Sequence, residues 1–127
     1  MNSWITIILR SLLGLIFFVL GLEHFFNFFQ MPPPASRAAA GFLGALGSTG
    51  YMLHLICGVE AIAGALLLSG RFVPLALLIL APVIVNIILF HLFLDPSGLP
   101  VAAVVTALEV LLAWQHRQVF APLLRST

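Results

Sequence analysis

The stretch that decides the fold is Phe72–Leu94, FVPLALLILAPVIVNIILFHLFL, which contains no Asp, Glu, Lys or Arg. As an α-helix rising about 1.5 Å per residue, it is long enough to cross a hydrocarbon layer roughly 30 Å thick. Pro82 and Asn86 near its middle, and His91 towards one end, interrupt the apolar pattern. Pro82 lacks an N–H, so the carbonyl of Leu78 loses its helical partner and a kink is expected there. Asn86 falls on nearly the same face. It is expected to hydrogen-bond freed backbone or another helix, because an amide in hydrocarbon needs a partner.

The rest of the chain has the same character. Of its 127 residues 62% are hydrophobic and 7% charged, and there is no lysine. Soluble domains carry roughly 25% charged residues. A chain this short cannot hide so much apolar surface in a core of its own, so lipid is its expected solvent. The net charge of +1 and the scattered arginines exclude a nucleic-acid partner. The first apolar run is expected to be retained rather than cleaved as a signal peptide, since Met1–Trp4 has no basic residue and no small-residue cleavage site follows. The lone Cys57, in an apolar run, reads as a small hydrophobe, since no internal disulfide can form.

Working outward, the sequence predicts an all-α single membrane domain over residues 1–127: a four-transmembrane-helix bundle with a short interfacial helix between spans one and two. The spans are placed at about 4–29, 51–68, 72–94 and 101–116, with outer loops at 30–50 and 95–100. In span one, Arg10, Gly14, Phe17, Gly21 and His24 share a face at about 100° per residue. Two glycines a heptad apart admit a close neighbour, and Arg10 is expected to snorkel to the near surface. Glu23 points away from that face, so Glu23 and His24 serve different neighbours. Pro32–Pro34 stop the helix, and Ser36 is placed to cap a short interfacial helix, Arg37–Leu46.

In span two, His54, Cys57, Gly58, Ala61, Gly64 and Ala65 form a stripe of small and polar residues with Glu60 at its edge, suited to packing on another helix. The brief turn Ser69–Arg71 makes spans two and three antiparallel. DPSGLP, Asp95–Pro100, is a turn. In span four, Thr106, Glu109, Ala113 and His116 share a stripe, and Trp114 marks an interface. Arg10, Arg71, Arg117 and Arg125 lie on the side of both termini and Arg37 on the other, which predicts cytoplasmic termini.

The polar residues sort by depth. Glu60, Glu109 and Asn86 lie near the midplane, His24, Glu23, His54 and His91 in the outer half, and His116 near the inner surface. Ionised carboxylates are costly at midplane, so Glu60 and Glu109 are expected to face the interior, neutral or sharing a proton. They serve either as packing acids or as proton-bearing groups. His24, His54 and His91 are weak candidates for metal, because each sits on a different span and no HxxxH or ExxH pair occurs. Haem held by two of them is disfavoured on the same ground. A quinone-type ligand needs an apolar slot with one or two polar groups, which the many phenylalanines allow. A short internal repeat matches His24 with His91 and Glu60 with Glu109, which would bring the two acids together about a central axis.

Three motifs, R-x-x-x-G-L-I-F-x-x-x-G (Arg10–Gly21), G-V-E-A-x-x-G-x-L-L-L-x-G-R-F (Gly58–Phe72) and A-P-V-I-V-N-I-I-L-F-H (Ala81–His91), with E-x-x-x-x-W (Glu109–Trp114), resemble the DoxX family of small four-span membrane proteins. Members often carry lysine where His24 stands. The resemblance implies the four-helix membrane fold. It also implies an accessory or ligand-binding subunit of a bacterial inner-membrane complex in redox or sulfur metabolism or oxidative stress, without catalysis of its own. The expected partners are lipid, redox proteins and further copies of the chain. Two alternatives stay open: an oxidoreductase subunit holding quinone, metal or haem, and a small proton-coupled transporter or channel. Under each of them Glu60, Asn86, His91 and Glu109 are the residues to watch.

Overall fold

The structure, a computed structural model, describes residues 3–28 and 32–126. The described residues form helices α1 (Ser3–Phe26), α2 (Arg37–Ser48), α3 (Met52–Ser69), α4 (Val73–Phe93), α5 (Leu99–Gln115) and α6 (Arg117–Phe120). Short 3-10 turns follow α4 and α6. Four helices are long and apolar enough to cross a membrane: α1, α3, α4, and α5 with the turn before it. The expected architecture is therefore the observed one, with the helices packed in the cyclic order α1, α3, α4, α5. The diagonal pairs are not among the main contacts.

The boundaries follow local chemistry. Span one, expected to reach Phe29, ends instead at Phe26, and Phe29 lies outside the described residues. Asn27 adopts a left-handed conformation (φ 54°), and its N–H closes on the carbonyl of Glu23 at 2.9 Å. Asparagine tolerates that conformation, which terminates the helix. Ser36 caps α2 as expected, its Oγ accepting the N–H of Ala39 at 3.0 Å. Gly70 (φ 74°) and Arg71 close α3, their N–H groups donating to Leu67 and Leu66 at 3.3 and 3.2 Å, the double bond of a Schellman ending. Helix α4 runs on through Pro82 without interruption.

The core holds Leu13 and Phe17 of α1, Ala63 and Leu67 of α3, Ala76, Leu77, Leu80 and Ile84 of α4, and Val105, Leu108 and Leu112 of α5. It lies in the middle and in the half that carries the termini. At the other end α2 lies across the bundle, with Ala39 fully buried and Phe42 against Phe90 at 5.6 Å between ring centroids. Most of the outward surface along the four long helices is apolar side chains, as expected of helices that face lipid.

Candidate functional site

The face of α1 read from the sequence is a continuous seam against α3. A Cβ on Gly14 would meet the carbonyl oxygen of Gly64 at 2.9 Å, and one on Gly21 would meet the backbone of Cys57 and Ala61 at 2.6 Å. The two backbones touch, as the spacing of small residues implied. The stripe on α3 is narrower than expected, because a Cβ on Gly58 would meet nothing and Ala65 is exposed. Arg10 does not simply reach for the surface. Its Nη1 donates to the carbonyls of Leu67 at 2.7 Å and Leu68 at 3.2 Å, covering the end of α3.

At the other end of the seam His24 Nε2 and His54 Nδ1 are 2.9 Å apart, one donating to the other. Two nitrogens sharing one tetrahedral metal would stand roughly 3.3 Å apart, whereas 2.9 Å is an ordinary hydrogen-bond distance, so this pair is bonded to itself. His91 is engaged elsewhere. Its Nδ1 lies 3.0 Å from the carbonyl oxygen of Asp95, and its ring fills the space a side chain at Gly98 would need. His24, His54 and His91 therefore do not assemble as ligands: among the described residues no three His, Cys, Asp or Glu side chains gather around a metal position.

Close to His91 the two outer connections are tied together. Ser36 Oγ donates to the carbonyl of Leu94, and the backbone N–H of Ala35 donates to the Asp95 carboxylate. The Ser97 hydroxyl also donates to that carboxylate and is the main reason its pKa lies below the usual range.

The midplane polar residues have three separate fates. Asn86 is exposed on the outside of α4 and makes no hydrogen bond to the described residues, so the expected link to a helix of the same chain is not made. Glu60 is half-buried on α3. Glu109 is 8% exposed on α5, and its Oε1 is buried with no hydrogen-bond partner. No hydrogen bond joins Glu60 to Glu109, and their helices stand diagonally across the bundle, so the two acids share no proton directly. Glu23, which the sequence set aside from the α3 seam, is buried at 6% exposure.

Glu109 opens onto a large apolar recess. A groove of about 790 Å³ runs between α4 and α5 and is walled by Leu77, Ala81, Ala113 and, from the C-terminal segment, Phe120 and Leu124. Beyond Trp114 this segment was not anticipated. Its signal was in the sequence: Arg117, Phe120 and Leu124 place one charge and two apolar groups at helical spacing, the pattern of a short helix lying along a membrane surface. Arg117 anchors the turn into it, stacking 4.6 Å over the Trp114 ring and donating to the Trp114 carbonyl at 2.9 Å. An apolar recess with one buried, unpartnered carboxyl at its wall can hold a greasy molecule by a single polar head.

The comparisons agree with the architecture. The sequence profile of the DoxX family matches residues 5–92, from the start of α1 to the end of α4. The tail pattern Glu109–Trp114 lies beyond the matched region. No curated protein and no solved structure matches the chain.

Proposed function

The chain belongs to the DoxX family, and from that premise we propose that it is a ligand-binding accessory subunit of a membrane complex in redox or sulfur metabolism or the response to oxidative stress. The observation that carries this reading is Glu109 Oε1, buried without a partner beside an apolar groove. An unmade hydrogen bond at a buried polar atom costs roughly 1–3 kcal/mol, which a bound polar head would recover.

A quinone-type molecule fits this donor set. Its ring and tail match the apolar walls, and one of its two carbonyl oxygens can accept a hydrogen bond from the protonated Glu109 carboxyl. Such a group supplies two-electron, two-proton carriage when bound. The chain's part is to bind and orient: Leu77, Ala81 and Phe120 exclude water, and Glu109 holds or accepts one proton at Oε1. We place the protein in the bacterial inner membrane with its termini in the cytoplasm. Arg10, Arg71, Arg117 and Arg125 lie at the termini end against Arg37 alone at the other.

The test is purification of the tagged protein from its native membranes, followed by chromatography of an organic extract and identification of copurifying proteins. The reading expects a stoichiometric redox-active lipid that falls away in Glu109→Leu, together with a redox or sulfur-handling partner. A protein that carries only bulk phospholipid and no partner would overturn it.

A further inference from the structure

Asn86 lies three residues past the centre of α4, so it sits inside the hydrocarbon layer, roughly 10 Å short of the helix end at Phe93. Its side chain is too short to reach the interface. The opposite face of the helix, with Leu80 and Ile84, is packed in the core. Asn86 stands instead in an outward stripe with Leu78, Pro82, Leu89 and Phe93, all exposed. Its amide makes no hydrogen bond to the described residues. An amide left open to hydrocarbon is strongly disfavoured, and lipid tails offer it nothing.

We propose that this stripe of α4 is the interface of a homodimer in the membrane, with Asn86 of one copy hydrogen-bonded to Asn86 of the other. Two points select a second copy as the occupant. Copies of one membrane protein insert in the same orientation, so a two-fold axis between them runs along the membrane normal and sets equal depths against each other. Asn86 therefore meets Asn86. The amide is also self-complementary, carrying donor and acceptor together, so one contact satisfies both side chains. Leu89 and Phe93 flank the pair and supply the packing.

The test is made in dilute proteoliposomes on a Cys57→Ala background. A single cysteine is placed on the stripe by Leu89→Cys, or on the lipid face of α3 by Ile62→Cys. Oxidation should cross-link Leu89→Cys and leave Ile62→Cys monomeric. Adding Asn86→Val should weaken dimerisation, measured by fluorescence transfer across a lipid dilution series, by roughly tenfold. Asn86→Gln should keep much of it. Thermal unfolding of the Asn86→Val protein in monodisperse detergent should be unchanged, since the residue holds nothing within its own chain. A monomeric wild-type protein, equal cross-linking from both cysteines, dimerisation indifferent to Asn86→Val, or a lowered melting temperature for that variant would each overturn the proposal.

Discussion

Arg10 donates from Nη1 to the carbonyl of Leu67 across 2.7 Å and to that of Leu68 across 3.2 Å, so the cation of one span closes the open end of another. The last carbonyls of a helix have no partner within it, and they carry the negative end of its dipole. One guanidinium answers both needs, and it also lies against Gly70 in the turn to α4.

Replacing Arg10 with alanine should destabilise the protein by about 1.5–3 kcal/mol, the range for hydrogen bonds to a charged group. Lysine should recover only part, because its ammonium is more strongly hydrated than a guanidinium and gives up more on leaving water to meet the two carbonyls. Unfolding in mixed micelles measures the loss. Amide exchange at Gly70 and Arg71 should rise with it, and unchanged exchange there would show that Arg10 does not hold the turn.

The seam between α1 and α3 predicts a contrast among glycines. A Cβ at Gly64 would stand 2.5 Å from the backbone nitrogen of Phe18, whereas one at Gly58 meets nothing. Gly64→Ala must therefore push the helices apart, at about 1–3 kcal/mol for overpacking. Gly58→Ala should be neutral or slightly stabilising, since alanine is the better helix former by about 1 kcal/mol. Equal effects from the two, in the same unfolding assay, would mean that the helices are not in backbone contact.

Glu109 should behave as a group kept at some expense of stability. Replacing it with leucine removes a buried oxygen that has no partner and leaves an apolar groove wall. The variant should be as stable as the parent or more so, by up to about 1–3 kcal/mol. A marked loss of stability without ligand present would identify Glu109 as a packing acid instead.

The outer end should be sensitive to acid through Asp95. The Ser97 hydroxyl, with smaller help from the Ala35 N–H and the nearby His91, keeps its carboxyl below the usual range. A carboxylate with a lowered folded pKa contributes stability that is present above its unfolded value and lost as pH falls through the folded one. Amide protection of the Ala35–Ser36 segment should therefore decline from about pH 4 downward, where free aspartate titrates. Ser97→Ala should shift that decline to higher pH, and Asp95→Asn should abolish it. A profile identical in all three proteins would remove Asp95 as the cause.

Much of the site was readable where helical periodicity alone sets the neighbours. Gly14, Gly21 and His24 share a face on any helix, and each met the α3 stripe at the matching antiparallel position. Periodicity gives a direction around one helix axis but not the identity of what stands there. Asn86 and Glu109 illustrate this. Both are polar groups near midplane on apolar helices, yet one faces outward and the other is buried. The histidines illustrate it again: three at similar depth became one bonded pair and one ring bonded to the turn after α4. The C-terminal wall of the groove went unnoticed because its apolar residues are few and follow a span already ended.

By itself the sequence determined that the chain crosses a membrane as four helices, where the turns fall, and that α1 and α3 each carry a small-residue face admitting a close neighbour. Those properties rest on hydrophobic length, backbone chemistry and side-chain size, which each segment carries alone. Only the tertiary structure decided that Glu60 and Glu109 stand apart, that Arg10 closes α3, and that Glu109 borders an apolar groove while His24 and His54 bond to each other. Those outcomes depend on how each helix rotates against its neighbours, and that rotation is settled by the packing of all four together.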